Sequence, residues 1–208
     1  MNAKTIIFDF DGTLADTLNS IAILYNKIAP KYGCKQVTPQ DIEQLRNKTP
    51  KQVIRELSIP TLKIPTMIFK VKTALIKHFD SIKIHPGIIN VLNVLKEKYS
   101  LGILTSNSQK NVKTYLKKYN LLNLFDFIYT GKNIFGKDRT IKRLLREQNL
   151  TKDEVVYVAD ETRDIEASHK VGVPIIAVSW GFNKKEILAS FNPTSLIDHP
   201  DQLLTILT

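Results

Sequence analysis

Two carboxylates spaced i, i+2 close an apolar run and are followed at once by Gly-Thr, in the stretch Ile6-Ile7-Phe8-Asp9-Phe10-Asp11-Gly12-Thr13-Leu14. No other feature restricts the chain as much. Side chains alternate along a strand, so Asp9 and Asp11 share one face while the backbone stays extended. Gly12 permits a sharp turn directly after them. Two like charges this close are unfavourable unless a cation or a shared proton relieves them. Hard divalent cations take oxygen ligands, and Mg²⁺ takes one or two carboxylates from a protein. The segment therefore predicts a metal-assisted site at the carboxyl end of a strand.

The rest of the chain supplies a sheet for that strand to join. From residue 14 to 84 the signals are helical: a helix over 17–31 closed near Gly33, a start at Thr38-Pro39, and further patches over 51–57 and 65–79 separated by Pro60 and Pro65. After Ile84-His85-Pro86-Gly87 the pattern changes. Strands at 101–104, 127–129, 154–159 and 174–178 then alternate with helices at 88–98, 109–119, 138–149 and 163–171. Such alternation is the signature of a parallel sheet covered by helices. The first strand needs this sheet for burial, so residues 14–84 read as a helical insertion.

Composition narrows the setting. With 208 residues, 43% apolar and 24% charged, the chain suits one ordinary domain plus a small one. No apolar run is long enough to span a bilayer, and the N-terminal apolar stretch is broken by acids, unlike a signal peptide. Cys34 stands alone, reads as inert, and fits a reducing cytoplasm. The 30 Lys and Arg exceed the 20 acids and give a net charge of +10. They are scattered, with nothing denser than pairs such as Lys117-Lys118 and Lys184-Lys185, and no nucleic-acid motif accompanies them. Residues 14–85 hold 12 basic against 5 acidic side chains. That excess favours an anionic small molecule over nucleic acid as the partner.

Ligands of an open parallel sheet bind outside the carboxyl ends of its strands. The residues at those ends are Asp9 and Asp11, then Thr105 and Ser106, then Asp160, Glu161 and Asp164. Lys137, after Gly136, opens the intervening helix. Acids for a metal, hydroxyls for an oxyanion and a lysine are what phosphoryl transfer requires. Plainer roles exist for each. The Asp pair could close a strand in an Asx turn. Thr105 could cap the following helix, with Ser106 or Asn107 as rival caps. Lys137 has Lys132 and Arg139 nearby. Asp164 could simply favour a helix dipole.

Taken in order, these stations resemble those of the haloacid dehalogenase-like hydrolases, in the subclass with a helical cap after the first strand. The chain is similar to the phosphoglycolate phosphatases of that family. Asp9-Phe10-Asp11-Gly12-Thr13 matches the first motif, DxDGT; Thr105 matches the second, Lys137 the third, and Asp160 with Asp164 the fourth, DxxxD. The resemblance implies a Rossmann-like α/β fold, a parallel sheet with helices on both faces, formed by residues 1–14 and 85–208, with a small all-helical cap over 15–84. It implies a Mg²⁺-dependent phosphatase acting on a small phosphorylated metabolite in the cytoplasm, as a monomer or homodimer. Asp9 would be the nucleophile that forms an aspartyl-phosphate, and Asp11 the acid and base. Asp9, the Asp11 backbone carbonyl, Asp160 and Asp164 would hold Mg²⁺, and Thr105, Ser106 and Lys137 would bind the phosphoryl group.

The same stations serve a sugar-phosphate mutase or a non-catalytic regulatory protein of the same fold. A dehalogenase is disfavoured because Asp11 is present. Three departures from the family pattern stand out. Ala159 replaces the Gly before Asp160. The cap stretch Leu45-Arg46-Asn47-Lys48-Thr49-Pro50 lacks the usual Gly, leaving Arg46 and Lys48 as candidates for substrate contact. Glu161 adds an acid, expected as a chain neighbour of Asp160 to point elsewhere. Trp180-Gly181-Phe182 reads as packing and turn.

Overall fold

Strands rich in β-branched residues with no polar alternation are buried only where both faces of a sheet are covered. The computed structural model, which describes residues 3–131 and 136–207, meets that condition. Its strands are β1 (Thr5–Phe8), β2 (Ser100–Thr105), β3 (Phe127–Thr130), β4 (Val155–Ala159), β5 (Ile175–Val178) and β6 (Ser195–Ile197). They form one six-stranded sheet in the order β3-β2-β1-β4-β5-β6, parallel throughout. This is the Rossmann-like α/β architecture expected from the alternating pattern.

Alternation of side chains sorts the sheet into two apolar layers. Ile6, Phe8, Leu101, Ile103, Val156 and Val158 face one core. Helices α5 (Ile88–Lys96), α6 (Gln109–Lys118) and α10 (Gln202–Leu207) cover it. Ile7, Leu104, Val155, Tyr157 and Ile175 face the other, under α7 (Lys137–Glu147), α8 (Thr162–Val171) and α9 (Lys185–Ser190). Between β1 and α5 lie α1 (Leu18–Ile28), α2 (Pro39–Leu45), α3 (Pro50–Glu56) and α4 (Ile64–Ile76). Thr38 and Thr49 open α2 and α3, each through a reciprocal capping box, with Asp41 and Gln52 respectively. The helix predicted over 17–31 stops at Ile28 and tightens into a 3₁₀ turn, Ala29–Tyr32, at Pro30. The chain leaves the sheet and returns beside itself: Asp16 N donates to Lys83 O and His85 N to Leu14 O, at 2.9 and 3.0 Å. Among the described residues no helix is long and apolar enough to cross a membrane.

Register positions the chemistry. Phe8 lies opposite both Ile103 of β2 and Val158 of β4, so the carboxyl ends of the three central strands reach the same level. The strand order reverses between β1 and β4, the position where open α/β sheets form a crevice.

Phe8 is fully buried at the sheet centre and meets Phe125 edge to face at 6.4 Å. The Phe8→Ala variant should lose about 3–5 kcal/mol of stability in urea unfolding followed by circular dichroism; a loss under about 1 kcal/mol would place the core elsewhere.

Candidate active site

Asp9 immediately follows β1, and its backbone N–H extends the ladder to Val158 O at 2.9 Å. Its side chain is buried. Oδ1 accepts from Phe10 N at 2.7 Å, and Oδ2 accepts from Lys137 Nζ at 2.6 Å. Lys137 is the first residue of α7, after Gly136, and its ammonium also pairs with Asp164 Oδ1. Burial works against the Lys137 charge, but Asp164 and Asp9 outweigh it and hold its pKa above the ordinary lysine value.

The turn after Asp11 needs Gly12. Its φ is +82°, and a Cβ there would fall 2.2 Å from Asp160 Oδ2. Asp160, at the end of β4, is completely buried and fastened at both oxygens: Thr13 Oγ1 donates to Oδ1 and Phe182 N to Oδ2, each at 2.7 Å. Trp180 Nε1 donates to Thr13 O at 3.1 Å, so the Trp180-Gly181-Phe182 turn buttresses the Asp11–Thr13 turn. Burial raises the Asp160 pKa well above the usual range, reinforced by Glu161 and Asp9.

Five carboxylates, those of Asp9, Asp11, Asp160, Glu161 and Asp164, gather here with three cationic side chains, Lys72, Lys137 and Arg163. Ligand oxygens of Asp9, Glu161 and Asp164 lie within 4.8 Å of one another. Asp11 Oδ1 and Asp164 Oδ2 are buried without a hydrogen-bond partner. Burial, then the neighbouring Asp9, pushes the Asp11 carboxyl up to about 6. Burial likewise pushes Asp164 to about 6, against the pull of Lys137. A buried cluster with orphaned carboxylate oxygens and surplus negative charge fits a hard divalent cation.

The site floors a cavity of about 590 Å³ that rises between α1, α2, α3 and α4. Asp9, Asp11, Ser106, Lys137 and Glu161 line its lower end.

The haloacid dehalogenase-like hydrolase model matches residues 6–178, most of the chain. The chain belongs to this family. It is 33% identical to a phosphoglycolate phosphatase of Synechococcus elongatus, over 99% of this chain and 97% of that protein. It is 27% identical to a pyrophosphatase of Listeria welshimeri, over 97% of this chain and 95% of that one. A predicted phosphatase from Clostridium acetobutylicum superposes with a TM-score of 0.84 at 21% identity, over 99% of this chain and 98% of that one. The protein is a phosphatase of the haloacid dehalogenase-like type.

Within this hydrolase the structure brings Asp9, Asp11, Lys137, Asp160 and Asp164 together. Thr105 and Ser106 stand beside them, sharing with Lys137 a void of about 10 Å³, the size of one water. Neither Thr105, Ser106 nor Asn107 caps α6. That role falls to Ser108, whose Oγ accepts from Asn111 N at 3.2 Å, while Thr105 Oγ1 accepts from Asn107 N at 3.0 Å. The competing basic residue Arg139 is exposed, and Lys132 lies outside the described residues.

Glu161 does not point away. Its extended backbone (φ −121°, ψ 147°) carries the chain from β4 into α8 and turns the side chain toward Asp9 and Asp164, with Arg163 as its ion-pair partner. Arg46 and Lys48 line the cavity, but their charges are engaged. Arg46 reaches Ser179 O at 3.2 Å and Glu43 at 3.3 Å, and Lys48 pairs with Glu56. Asn183 Nδ2 also holds the carbonyls of both residues at 3.0 Å, docking their loop onto the sheet edge.

Lys72 was hidden in the sequence among the many basic residues. From α4 its Nζ donates to Ser106 O at 2.5 Å and Ser106 Oγ at 2.8 Å. Its charge draws the Asp11 pKa down, while burial lowers its own.

The raised carboxyl pKa values add a fall in stability with rising pH to the cation-free protein, which the lowered pKa of buried His85 partly opposes. Asp11 and Asp164 shift from 3.8 to about 6, so the folded state binds protons more tightly than the unfolded one. Their stabilisation is complete below the unfolded value and is lost as pH rises through the folded one. In EDTA, Tm should therefore fall between about pH 4 and pH 7, the Asp11→Asn variant should lose part of that fall, and Mg²⁺ should restore Tm at neutral pH. A Tm in EDTA that rises over this interval would contradict the assignment.

Proposed function

We propose that this enzyme hydrolyses a small phosphomonoester with Mg²⁺, through an aspartyl-phosphate on Asp9, in the cytoplasm. The observation that carries the reading is the pairing of two unlike carboxyl groups at the cavity floor. Asp9 has one oxygen steadied by Lys137, while Asp11 beside it has its carboxyl pushed up to about 6. Pairs of carboxyl groups whose environments differ divide into nucleophile and acid.

In the first step an Asp9 oxygen attacks phosphorus and the ester P–O bond breaks. The leaving alkoxide takes the proton from Asp11. In the second, Asp11 accepts a proton from water, whose oxygen attacks the same phosphorus. The bond to Asp9 breaks, releasing inorganic phosphate and regenerating the carboxylate. Thr105, whose oxygen already accepts from Asn107 N, keeps its hydroxyl proton for a phosphoryl oxygen. Lys137 neutralises charge on the phosphoryl group and on Asp9, and Ser106, held by Lys72, borders the same space.

Asp9, Asp160, Asp164 and the Asp11 carbonyl would hold Mg²⁺, with Glu161 as a further donor. When bound, the ion supplies charge neutralisation between nucleophile and phosphate. Residues 15–84 serve as a cap over this chemistry, a division supported by the close pairing of the segment's two ends at Ala15 and Ile84.

Asp9→Asn should leave the far-ultraviolet circular dichroism unchanged and cut turnover of p-nitrophenyl phosphate in Mg²⁺ by roughly three orders of magnitude or more. Undiminished turnover in the folded variant would reject Asp9 as nucleophile.

A further inference from the structure

The cavity above Asp9 changes character as it leaves the floor. Its upper walls are apolar: Ile21 from α1, Ile42 and Leu45 from α2, Ile54 from α3, and Met67 and Ile68 from α4. Neither α2 nor α3 contributes a single buried residue, so their apolar side chains end at the cavity and not in a core of their own. Most charges on α2 and α3 in this region are engaged elsewhere, although Arg46 Nε is buried without a hydrogen-bond partner. Arg46 is engaged by Ser179 O and Glu43, and Lys48 by Glu56. Lys51 and Lys170, which also line the space, are solvent-exposed. Its volume of about 590 Å³ lies in the range that encloses a drug-sized ligand, far more than a phosphate with a two-carbon acid would fill.

We propose that the group esterified to the phosphate is an apolar one, the hydrocarbon of an aliphatic alcohol of roughly six or more carbons lying between α1, α2, α3 and α4. The proposal rests on the phosphatase reading and names its substrate class. Continuity makes the assignment: the apolar chamber opens onto the carboxylate that attacks phosphorus, so whatever occupies it is attached to the phosphate. The reaction is the one already given, with the P–O bond to the alcohol breaking and the Asp11 proton passing to the departing alkoxide.

The test is kcat/KM for a series of n-alkyl phosphates, from ethyl to octyl, in Mg²⁺. Their leaving alkoxides are of nearly equal basicity, so chain length reads binding alone. Each added methylene should raise kcat/KM about fourfold through hexyl, the value for burying one CH₂. Ile54→Asp should flatten that slope. A flat or falling series in the wild type, or phosphoglycolate turned over faster than hexyl phosphate, would overturn the proposal while leaving the phosphatase reading intact. An undiminished slope in folded Ile54→Asp would overturn the placement between the helices. Failure to hydrolyse any ester, p-nitrophenyl phosphate included, would remove the parent reading and this one with it.

Discussion

One ammonium group organises the centre of this protein. Lys137 lies between Asp9, just after β1, and Asp164, in the first turn of α8, and also sits over the Tyr157 ring at 5.3 Å. Unpaired, either buried carboxylate would be strongly unfavourable and would take up a proton. With Lys137 between them, Asp9 is held at the floor of the cavity with one oxygen steadied. The cluster still carries more negative than positive groups, and two of its oxygens remain without hydrogen-bond partners. The pairing thus steadies the Asp9 carboxylate, the proposed nucleophile, while leaving the cluster suited to a cation. Structure and reactivity draw on the same imbalance.

The sheet makes that arrangement possible, and the helical segment walls the cavity above it. Parallel strands in matched register bring Thr105 and Asp160 one residue beyond the level of Asp9, and the turn at Gly12 lets Asp160 approach the backbone. The tie between the loop of Arg46 and Lys48 and Asn183 fixes how α2 and α3 stand above the site. Polar groups thus occupy the floor and apolar ones the walls. The polar groups at the strand ends carry the proposed chemistry, and α1 to α4 supply the walls proposed to receive the leaving group, with Lys72 of α4 reaching down to Ser106.

The central strands and their acids were legible because strands buried on both faces read as apolar runs and leave their polar residues at the ends. Lys137 was legible only through its place in a series of motifs, since its Gly-Lys context resembles many others. Strand β6 was not legible: three residues between Asn192-Pro193-Thr194 and Asp198 give too short a run, and its pairing with β5 supplies the order. Helices α9 and α10, six residues each, are held by Leu188, Leu203 and Leu207 against the two cores. Glu161 was misread because a dihedral pair at a strand-helix junction, not chain adjacency, decides where its side chain goes. Lys72 became visible only once α4 was docked, because its partner Ser106 lies 34 residues away.

In the proposed mechanism Asp9 is phosphorylated during turnover. Acid quench of the enzyme during steady-state hydrolysis in Mg²⁺, borohydride reduction, and peptide mass spectrometry read this directly. An acyl phosphate at Asp9 is reduced to homoserine, whereas a free carboxylate is not. Homoserine is expected at position 9 and at no other carboxylate, dependent on substrate. An unmodified Asp9 in enzyme that is turning over, or homoserine at position 11, would contradict it.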